Sequence, residues 1–127
     1  MSRPARTARE VAGLYTLSLW NERNFELADE LIADTVIQHG VGEAHVLTRE
    51  QILQSIQQTW AKLDKLRFNL DLVIAGDDGQ HVAVLYDSRM TAKDGTQAET
   101  ASVEVLRVVD GQITEVWYAP SQLGAWL

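Results

Sequence analysis

The chain has 127 residues, a net charge of −7 and no cysteine. This length suits one domain with its own hydrophobic core, and the acidic balance argues against nucleic acid, whose phosphates attract clustered Lys and Arg. The absence of cysteine excludes disulfides and thiolate metal sites. No apolar run approaches the roughly 18 residues that span a membrane. We therefore expect one cytoplasmic domain over residues 1–127, with a flexible tail over residues 1–6.

Capping residues predict three helices in the first half of the chain. Thr7 with Glu10 forms a capping box that starts the first helix, and Asn24 caps a second, shorter helix. Thr48 with Gln51 forms the box of the third helix. Behind each cap, apolar residues recur at intervals of three and four, as on the buried face of a helix. These residues are Val11, Leu14 and Tyr15, then Leu27, Ala28, Leu31 and Ile32, then Ile52, Ile56, Trp60 and Leu63.

Strands are predicted between the second and third helices and throughout the second half of the chain. The stretch DTVIQHG (34–40) is typical of a short strand, and from Leu66 onward the hydrophobic period is two. Asp78-Gly79, Asp94-Gly95 and Asp110-Gly111 divide this half at even intervals, and Asp-Gly suits the type I′ turn of a β-hairpin. We expect four antiparallel strands of about a dozen residues each, which must twist and bend. A curved sheet packed on helices should leave a pocket.

Two segments resemble a known superfamily. Trp20 to His39, WNERNFELADELIADTVIQH, is similar to its pattern of a capped helix, an Ala-Asp pair and a polar residue that ends a strand. Ser102 to Trp117, SVEVLRVVDGQITEVW, is similar to its penultimate strand, Asp-Gly turn and last strand. The chain thus resembles the NTF2-like superfamily, and within it the SnoaL-like polyketide cyclases, with ketosteroid isomerases as relatives. The resemblance implies an α+β, cystatin-like cone: three N-terminal helices packed on a strongly curved antiparallel sheet with a central pocket.

The resemblance also implies where a catalytic site would lie. Ketosteroid isomerases place a base at the end of the strand after the second helix, and His39 falls at or within one residue of that position. They place a proton-donating acid on the penultimate strand, where this chain has Glu104. Their oxyanion tyrosine aligns with Thr16, one residue from Tyr15, and one residue on a helix is a rotation of about 100°. His39 and Glu104 are therefore the candidate catalytic residues.

The chemistry of these two residues leaves several arrangements open. Neutral His39 can accept a proton at physiological pH, and a buried Glu104 carboxyl is hard to ionise unless it is paired. The two could form an ion pair, or Glu104 could stay protonated and donate to a developing enolate. Alternatively, His39 only closes its strand by bonding a backbone carbonyl, and Glu104 pairs with Arg107 or with water.

Six further residues are candidates for the pocket wall or for the core beside it. They are Tyr15, Trp20, Trp60, Leu106, Trp117 and Tyr118. A two-residue turn at Asp110-Gly111 would place Glu104 opposite Trp117. It would also place Leu106 opposite Glu115, on the same face. The other face is partly apolar as well, and because such a face meets a second subunit in the resembling family, we expect a homodimer.

The other polar residues indicate no additional site. His45 and His81 are expected at the surface, and Asp87 with Arg89 as a surface ion pair. No spacing of His, Asp or Glu matches a metal site, and we expect no cofactor. The apolar residues near the C-terminus are expected to cover the pocket mouth or the dimer seam. These residues are Leu123, Trp126 and Leu127.

Three functions are compatible with these features. The first is a cofactor-independent acid–base enzyme of the isomerase, cyclase or dehydratase type, with His39 as base and Glu104 as acid, acting on a small hydrophobic carbonyl compound. The second is a non-catalytic module that binds a small hydrophobic ligand. It is favoured because Trp117 to Ser121 contains no aspartate, whereas the resembling cyclases carry one near the Trp of the last strand. The third is a protein-assembly module that uses the sheet face.

Overall fold

The computed structural model describes residues 5–127, so residues 1–4 of the predicted tail lie outside the described part. The helices are α1 (Ala8–Gly13), which continues as a π-helix (Leu14–Trp20), α2 (Ala28–Leu31), which follows a 3₁₀ turn (Phe25–Leu27), and α3 (Arg49–Ala61). The strands are β1 (Ile32–Gly40), β2 (Glu43–Thr48), β3 (Leu63–Ala75), β4 (His81–Ala92), β5 (Gln97–Val109), β6 (Gln112–Tyr118) and β7 (Gln122–Leu123). Over the described residues, none of the helices has both the length and the apolar character needed to cross a membrane.

Both predicted capping boxes are confirmed. Thr7 Oγ1 accepts a hydrogen bond from Glu10 N at 3.1 Å, and the Glu10 carboxylate accepts one from Thr7 N at 3.1 Å. Thr48 and Gln51 exchange the same pair of bonds at 3.1 and 2.9 Å, and caps of this kind contribute about 1 kcal/mol each. The prediction for Asn24 is wrong, because its side chain makes no capping hydrogen bond to the 3₁₀ turn that follows.

Six strands form one sheet in the order β2-β1-β6-β5-β4-β3, and β7 pairs with β5. The predicted antiparallel meander is confirmed over β3 to β6. The sheet as a whole is mixed rather than antiparallel, because β1 runs parallel to β6. This follows from the connection through α3, which carries the chain from β2 at one edge to β3 at the other, so that the meander returns toward β1.

Only one of the three Asp-Gly pairs forms the predicted type I′ turn. Asp110 and Gly111 both have positive φ angles, 51° and 78°, as that turn requires. At the other two pairs only the glycine has a positive φ. There the carboxylates of Asp78 and Asp94 instead accept the backbone N–H two residues further on, both at 2.9 Å, which is the usual role of aspartate in a turn.

Bulges in the strands change which side chains face the helices. In β3 the pairing with β4 shifts between Leu70 and Leu72, so Asp71 is an extra residue and Leu72 lies on the side away from the helices, 48% exposed. The expected alternation from Phe68 to Ile74 on one face therefore fails beyond Leu70, because one extra residue moves every later side chain to the opposite face. In β6 the extra residue is Thr114.

The hydrophobic core lies between the helices and one face of the sheet, called here the helix face, which carries Val82, Val84 and Leu106. Its fully buried residues include Val11, Leu19, Leu31, Ile32, Val36 and Ile56. The other face, called here the open face, carries exposed apolar side chains. They are Ile37, Val46, Leu72, Ile74 and Val103. The two faces therefore have different environments although the same strands build them.

Candidate functional site

A cavity of about 390 Å³ lies between the helix face of the sheet and the π-helix, within the range of about 300–1,000 Å³ common for small-molecule sites. Five aromatic side chains line it: Tyr15, Trp20, Phe68, Tyr86 and Tyr118. Phe68 packs edge-on against Trp20 and Tyr86, with ring centroids 5.2 and 5.6 Å apart, and this arrangement is favourable for aromatic pairs. The cavity is called the pocket below.

The chain that follows β6 forms one side of the pocket. Ala119, Pro120 and Ser121 line it. Ser121 opposes the rise in the pKa of Tyr86, so it lies near that phenol. Ser102 Oγ donates to Ala119 O at 3.0 Å, which ties the segment to β5.

The apolar residues near the C-terminus only partly match the prediction that they cover the pocket mouth. Trp126 Nε1 donates to the backbone oxygen of Tyr86 at 3.0 Å, which fixes the segment against β4. Leu123 is 84% exposed and Leu127 is fully exposed, and neither lines the pocket. The mouth is bordered by the residues just after β6 rather than by the last ones.

Glu104 carries the carboxyl group of the pocket. It lies on β5, opposite Val84 of β4 and Tyr118 of β6. Burial raises the pKa of Glu104 to about 7, because removal from water disfavours the charged form. The pKa values of Tyr15 and Tyr86 are raised mainly by burial and, to a smaller extent, by the nearby charge of Glu104. Near neutral pH the pocket therefore holds a carboxyl group close to half protonation beside two phenols that keep their protons.

Tyr15 lies on the pocket wall where the first helix widens into a π-helix. Asn21 N donates to Thr16 O, five residues earlier, at 3.3 Å, and π-helical turns are frequent at functional sites. Tyr15 and Thr16 both line the pocket, although neighbours on an α-helix point about 100° apart. The Trp20 side chain opposes the rise in the pKa of Tyr15, so it lies near that phenol.

At the end of β1, Gln38 lines the pocket, whereas His39 lies on the open face. In the parallel pairing of β1 with β6, Gln38 is opposite Val116 and His39 is opposite Trp117. Val116 and Gln38 both line the pocket, and His39 does not. The position that the sequence assigned to a base is thus held by an amide, because successive side chains of a strand point to opposite faces.

The pairing of β5 with β6 is one residue away from the predicted register. Glu104 pairs with Tyr118 rather than Trp117, and Leu106 pairs with Val116 rather than Glu115. The cause is the extra residue in β6, which the two-residue turn alone does not reveal. Tyr118 consequently lines the pocket as predicted, whereas Trp117 lies on the open face and does not.

On the open face His39 has a partner other than the one considered from the sequence. His39 Nε2 lies 2.6 Å from Glu115 Oε2, and Arg107 Nη1 lies 3.7 Å from Glu115 Oε1. The imidazole stacks on the indole of Trp117, with ring centroids 5.0 Å apart and planes 9° from parallel. His39 is therefore held by Glu115 and Trp117, and Arg107 pairs with Glu115 rather than with Glu104.

A second, shallower groove of about 280 Å³ lies beside this cluster. His39, Val103, Val105 and Trp117 line it. It shares a wall with the pocket at the end of β6, because Glu104 borders both cavities. His39 and Glu104 thus border one groove, but only Glu104 borders the pocket.

Two of the predicted wall residues lie outside the pocket. Trp60 does not line the pocket; its indole N–H donates to Trp20 O at 2.9 Å, and the guanidinium of Arg23 lies 4.6 Å from its ring centroid. Leu106 borders a small inner cavity of about 50 Å³ together with Glu104. Tyr86 was missed in the sequence, although it alternates along β4 with buried valines and so belongs to the helix face.

The remaining polar candidates form surface contacts. His45 lies 3.4 Å from Glu43, and both side chains are exposed. His81 contacts Asp78, and backbone N–H groups together with the His81 side chain lower the pKa of that carboxyl. The expected ion pair of Asp87 with Arg89 is wrong: Arg89 pairs with Glu99 at 3.3 Å, and Asp87 accepts a hydrogen bond from Asn69 Nδ2 at 2.9 Å. Over residues 5–127, no group of three or more His, Cys, Asp or Glu side chains is arranged to hold a metal ion.

Three solved structures are similar to this chain over most of its length. A proposed polyketide cyclase from Acidithiobacillus ferrooxidans is 21% identical with a TM-score of 0.78, covering 96% of this chain and 92% of that chain. IdmH, a proposed polyketide cyclase from Streptomyces antibioticus, is 26% identical with a TM-score of 0.74, covering 91% of each. A SnoaL-like polyketide cyclase from Agrobacterium tumefaciens is 16% identical with a TM-score of 0.73, covering 94% and 92%. No curated protein matches the chain in sequence.

The helices packed on a curved mixed sheet, together with these similarities, define an NTF2-like α+β fold. The chain belongs to the SnoaL-like family, whose domain model matches residues 11–116.

Proposed function

We propose that this protein is a cofactor-independent acid–base enzyme of the isomerase, cyclase or dehydratase type, and that it acts on a small hydrophobic carbonyl compound bound in the pocket. The observation that carries the proposal is the buried carboxyl of Glu104, with its pKa raised to about 7. A group with a pKa close to the working pH transfers protons most effectively. The similarity to IdmH, 26% identical and a proposed polyketide cyclase, supports a cyclase-type role.

In this proposal Glu104 moves the proton and Tyr15 stabilises the charge. The ionised carboxyl removes a proton from the carbon next to the substrate carbonyl, and the electron pair moves onto the carbonyl oxygen. The phenol of Tyr15, which keeps its proton because its pKa is raised, donates to that oxygen. Glu104 then returns the proton to the same or another carbon, so atoms and electrons balance without a co-reactant. One donor to a developing oxyanion contributes about 10²–10³-fold in rate.

His39 has no part in this scheme, because the pocket is lined by Gln38 at the end of β1. An amide cannot accept a proton from carbon, and Glu104 is the one carboxyl among the described residues that line the pocket. A single acid–base group is therefore the simplest arrangement that these side chains permit. A catalytic role for His39 would require access from the open groove.

The proposal can be tested without knowledge of the natural substrate. Exchange of the α-hydrogens of 2-tetralone, a small aromatic ketone, for deuterium in D₂O is followed by proton NMR with and without protein. We expect accelerated exchange whose rate rises with pH and levels off above about 7, as Glu104 ionises. Exchange no faster than in buffer, with the ketone demonstrably bound, would contradict an enzymatic role.

That last outcome would favour a second candidate function, a non-catalytic module that binds small hydrophobic ligands. The observation in its favour is Gln38, which occupies the position where related isomerases have a base. The aromatic wall and the volume of about 390 Å³ serve binding alone equally well.

A homodimer through the open face forms part of the proposal. One row of side chains crosses six strands of this face and is mostly apolar. In order across the sheet it consists of Ile74, Ala83, Val105, Trp117, His39 and Ala44. A neighbouring row adds Leu72, Leu85 and Val103. The pairing of His39 with Glu115 would then satisfy polar groups at the seam, where unpaired polar groups are costly.

A further inference from the structure

The side chains that line the pocket include an acidic group and several aromatic rings. Five of the side chains that line it are aromatic, and Glu104 is its one carboxyl. Among the described residues that line it there is no Lys, Arg or His. The whole chain is acidic as well, with a net charge of −7.

Aromatic rings and a carboxylate favour the same kind of ligand. The face of an aromatic ring is electron-rich and attracts cations within about 6 Å, most strongly where water is excluded. An ionised Glu104 adds a full negative charge in the same cavity, and burial strengthens its attraction for an opposite charge. A cation is therefore the ligand that would compensate both features at once.

We infer that the pocket binds small organic cations, a quaternary or protonated amine attached to an apolar body, with the ammonium group beside Glu104 and the apolar body against the aromatic wall of Trp20 and Phe68. This ligand class differs from the neutral carbonyl compound proposed above. Binding of the cation requires no proton transfer, and the cation would compete with the carbonyl compound for the same pocket.

Binding of such a cation is coupled to pH. The groups that face Glu104 are Tyr15 from the π-helix, Tyr86 from β4, Tyr118 from β6 and Gln38 from β1. The phenols of Tyr15 and Tyr86 keep their protons because burial and the charge of Glu104 raise their pKa values, and Gln38 is uncharged. His39 borders the shallower groove together with Glu104, but it is already paired with Glu115 at 2.6 Å. None of these neighbours therefore offers Glu104 an unpaired cation. A bound ammonium stabilises its ionised form, so affinity rises as pH rises through the pKa of Glu104 and then levels off.

The test compares two ligands of the same shape, phenyltrimethylammonium and its uncharged counterpart tert-butylbenzene. Binding of each is followed by calorimetry and by NMR chemical shifts at about pH 8.5 and about pH 5.5, on either side of the Glu104 pKa. At the higher pH we expect the cation to bind at least about tenfold more tightly than tert-butylbenzene. We also expect the cation to bind at least about tenfold more tightly at the higher pH than at the lower pH. The affinity of tert-butylbenzene should not change with pH.

Two variants localise the effect. Glu104→Gln should remove the pH dependence and reduce the preference for the cation to the part that the aromatic rings supply, whereas Glu99→Gln, which changes an exposed carboxylate on the same strand, should leave both intact. Equal binding of the two ligands at the higher pH, absence of cation binding, or a preference for the cation that is undiminished in Glu104→Gln would overturn the inference. If Glu104→Gln does not fold, the two ligands and two pH values on the natural chain still decide it. Failure of deuterium exchange with 2-tetralone would leave this inference untouched, since cation binding involves no chemistry.

Discussion

The two faces of the sheet differ sharply although they alternate along the same strands. On the helix face, Glu104 lines the pocket, and burial raises its pKa to about 7. One position away on the open face, Val105 and Trp117 belong to a half-buried row with His39. His39 already has a carboxylate partner in Glu115 at 2.6 Å. The difference teaches that the face on which an ionisable side chain lies decides its role more than its place in the sequence does.

The largest expected effect comes from removal of the carboxyl on the helix face. Glu104→Gln keeps the size of the side chain but cannot take or return a proton, so we expect the acceleration of 2-tetralone exchange to fall by about 10³-fold. Proton NMR in D₂O measures it. Glu99→Gln, on the exposed part of the same strand, serves as the control and should retain the rate of the natural chain. A folded Glu104→Gln protein with full activity would rule out Glu104 as the proton carrier.

A smaller effect on the same face should separate the two buried phenols. Tyr15→Phe removes a donor that is free to meet a substrate oxygen, and we expect exchange to slow by about 10²-fold. Tyr86→Phe removes a phenol that the proposed scheme does not place at the substrate oxygen, so its effect should be clearly smaller. The same NMR assay ranks the two variants. The reverse order would mean that Tyr86, and not Tyr15, faces the reacting oxygen.

A substitution on the open face should change dimer formation rather than the rate of exchange. Val105→Asp places a charge in the centre of the apolar row, and we expect the dimer dissociation constant to rise by about tenfold or more, because an unpaired charge is costly to bury. Sedimentation analysis over a range of protein concentrations measures it. Gln97→Asp adds the same charge at an exposed position of the same strand and should leave the mass unchanged. A natural chain that is monomeric at all concentrations would refute the proposed dimer.

The smallest expected effect distinguishes the two readings of His39. His39→Ala breaks the contact with Glu115, and we expect the free energy of unfolding to fall by about 1 kcal/mol. The exchange rate should stay within about threefold of the natural chain, since His39 does not line the pocket. Denaturant unfolding and the NMR assay provide the two readings. Abolished exchange in a well-folded protein would restore His39 as the base.

Much of the architecture could be predicted because it depends on local rules. The capping boxes at Thr7 and Thr48 are satisfied within three residues of each cap, and the meander follows from a period of two broken by Asp-Gly pairs. Glu104 could be placed in the candidate site because the resemblance aligns its strand.

The composition of the pocket wall could not be predicted, because it depends on single-residue irregularities. The extra residues Asp71 and Thr114 and the π-helix Leu14–Trp20 each shift side chains by one position. Such features arise where long strands must bend and where a helix packs on them, and no sequence period signals them. The extra residue Thr114 moved Trp117 to the open face. Gln38 rather than His39 lines the pocket because neighbouring side chains of β1 point to opposite faces.

The protonation of Glu104 is the property on which both proposals rest, and it can be measured directly. Carbon-13 NMR of the side-chain carboxyl carbons, with the signal of Glu104 assigned by its loss in Glu104→Gln, gives the titration midpoint of this one group. We predict a midpoint close to 7, the value to which burial raises the pKa. A midpoint near the ordinary glutamate value of about 4.3 would contradict a buried acid–base group in the pocket.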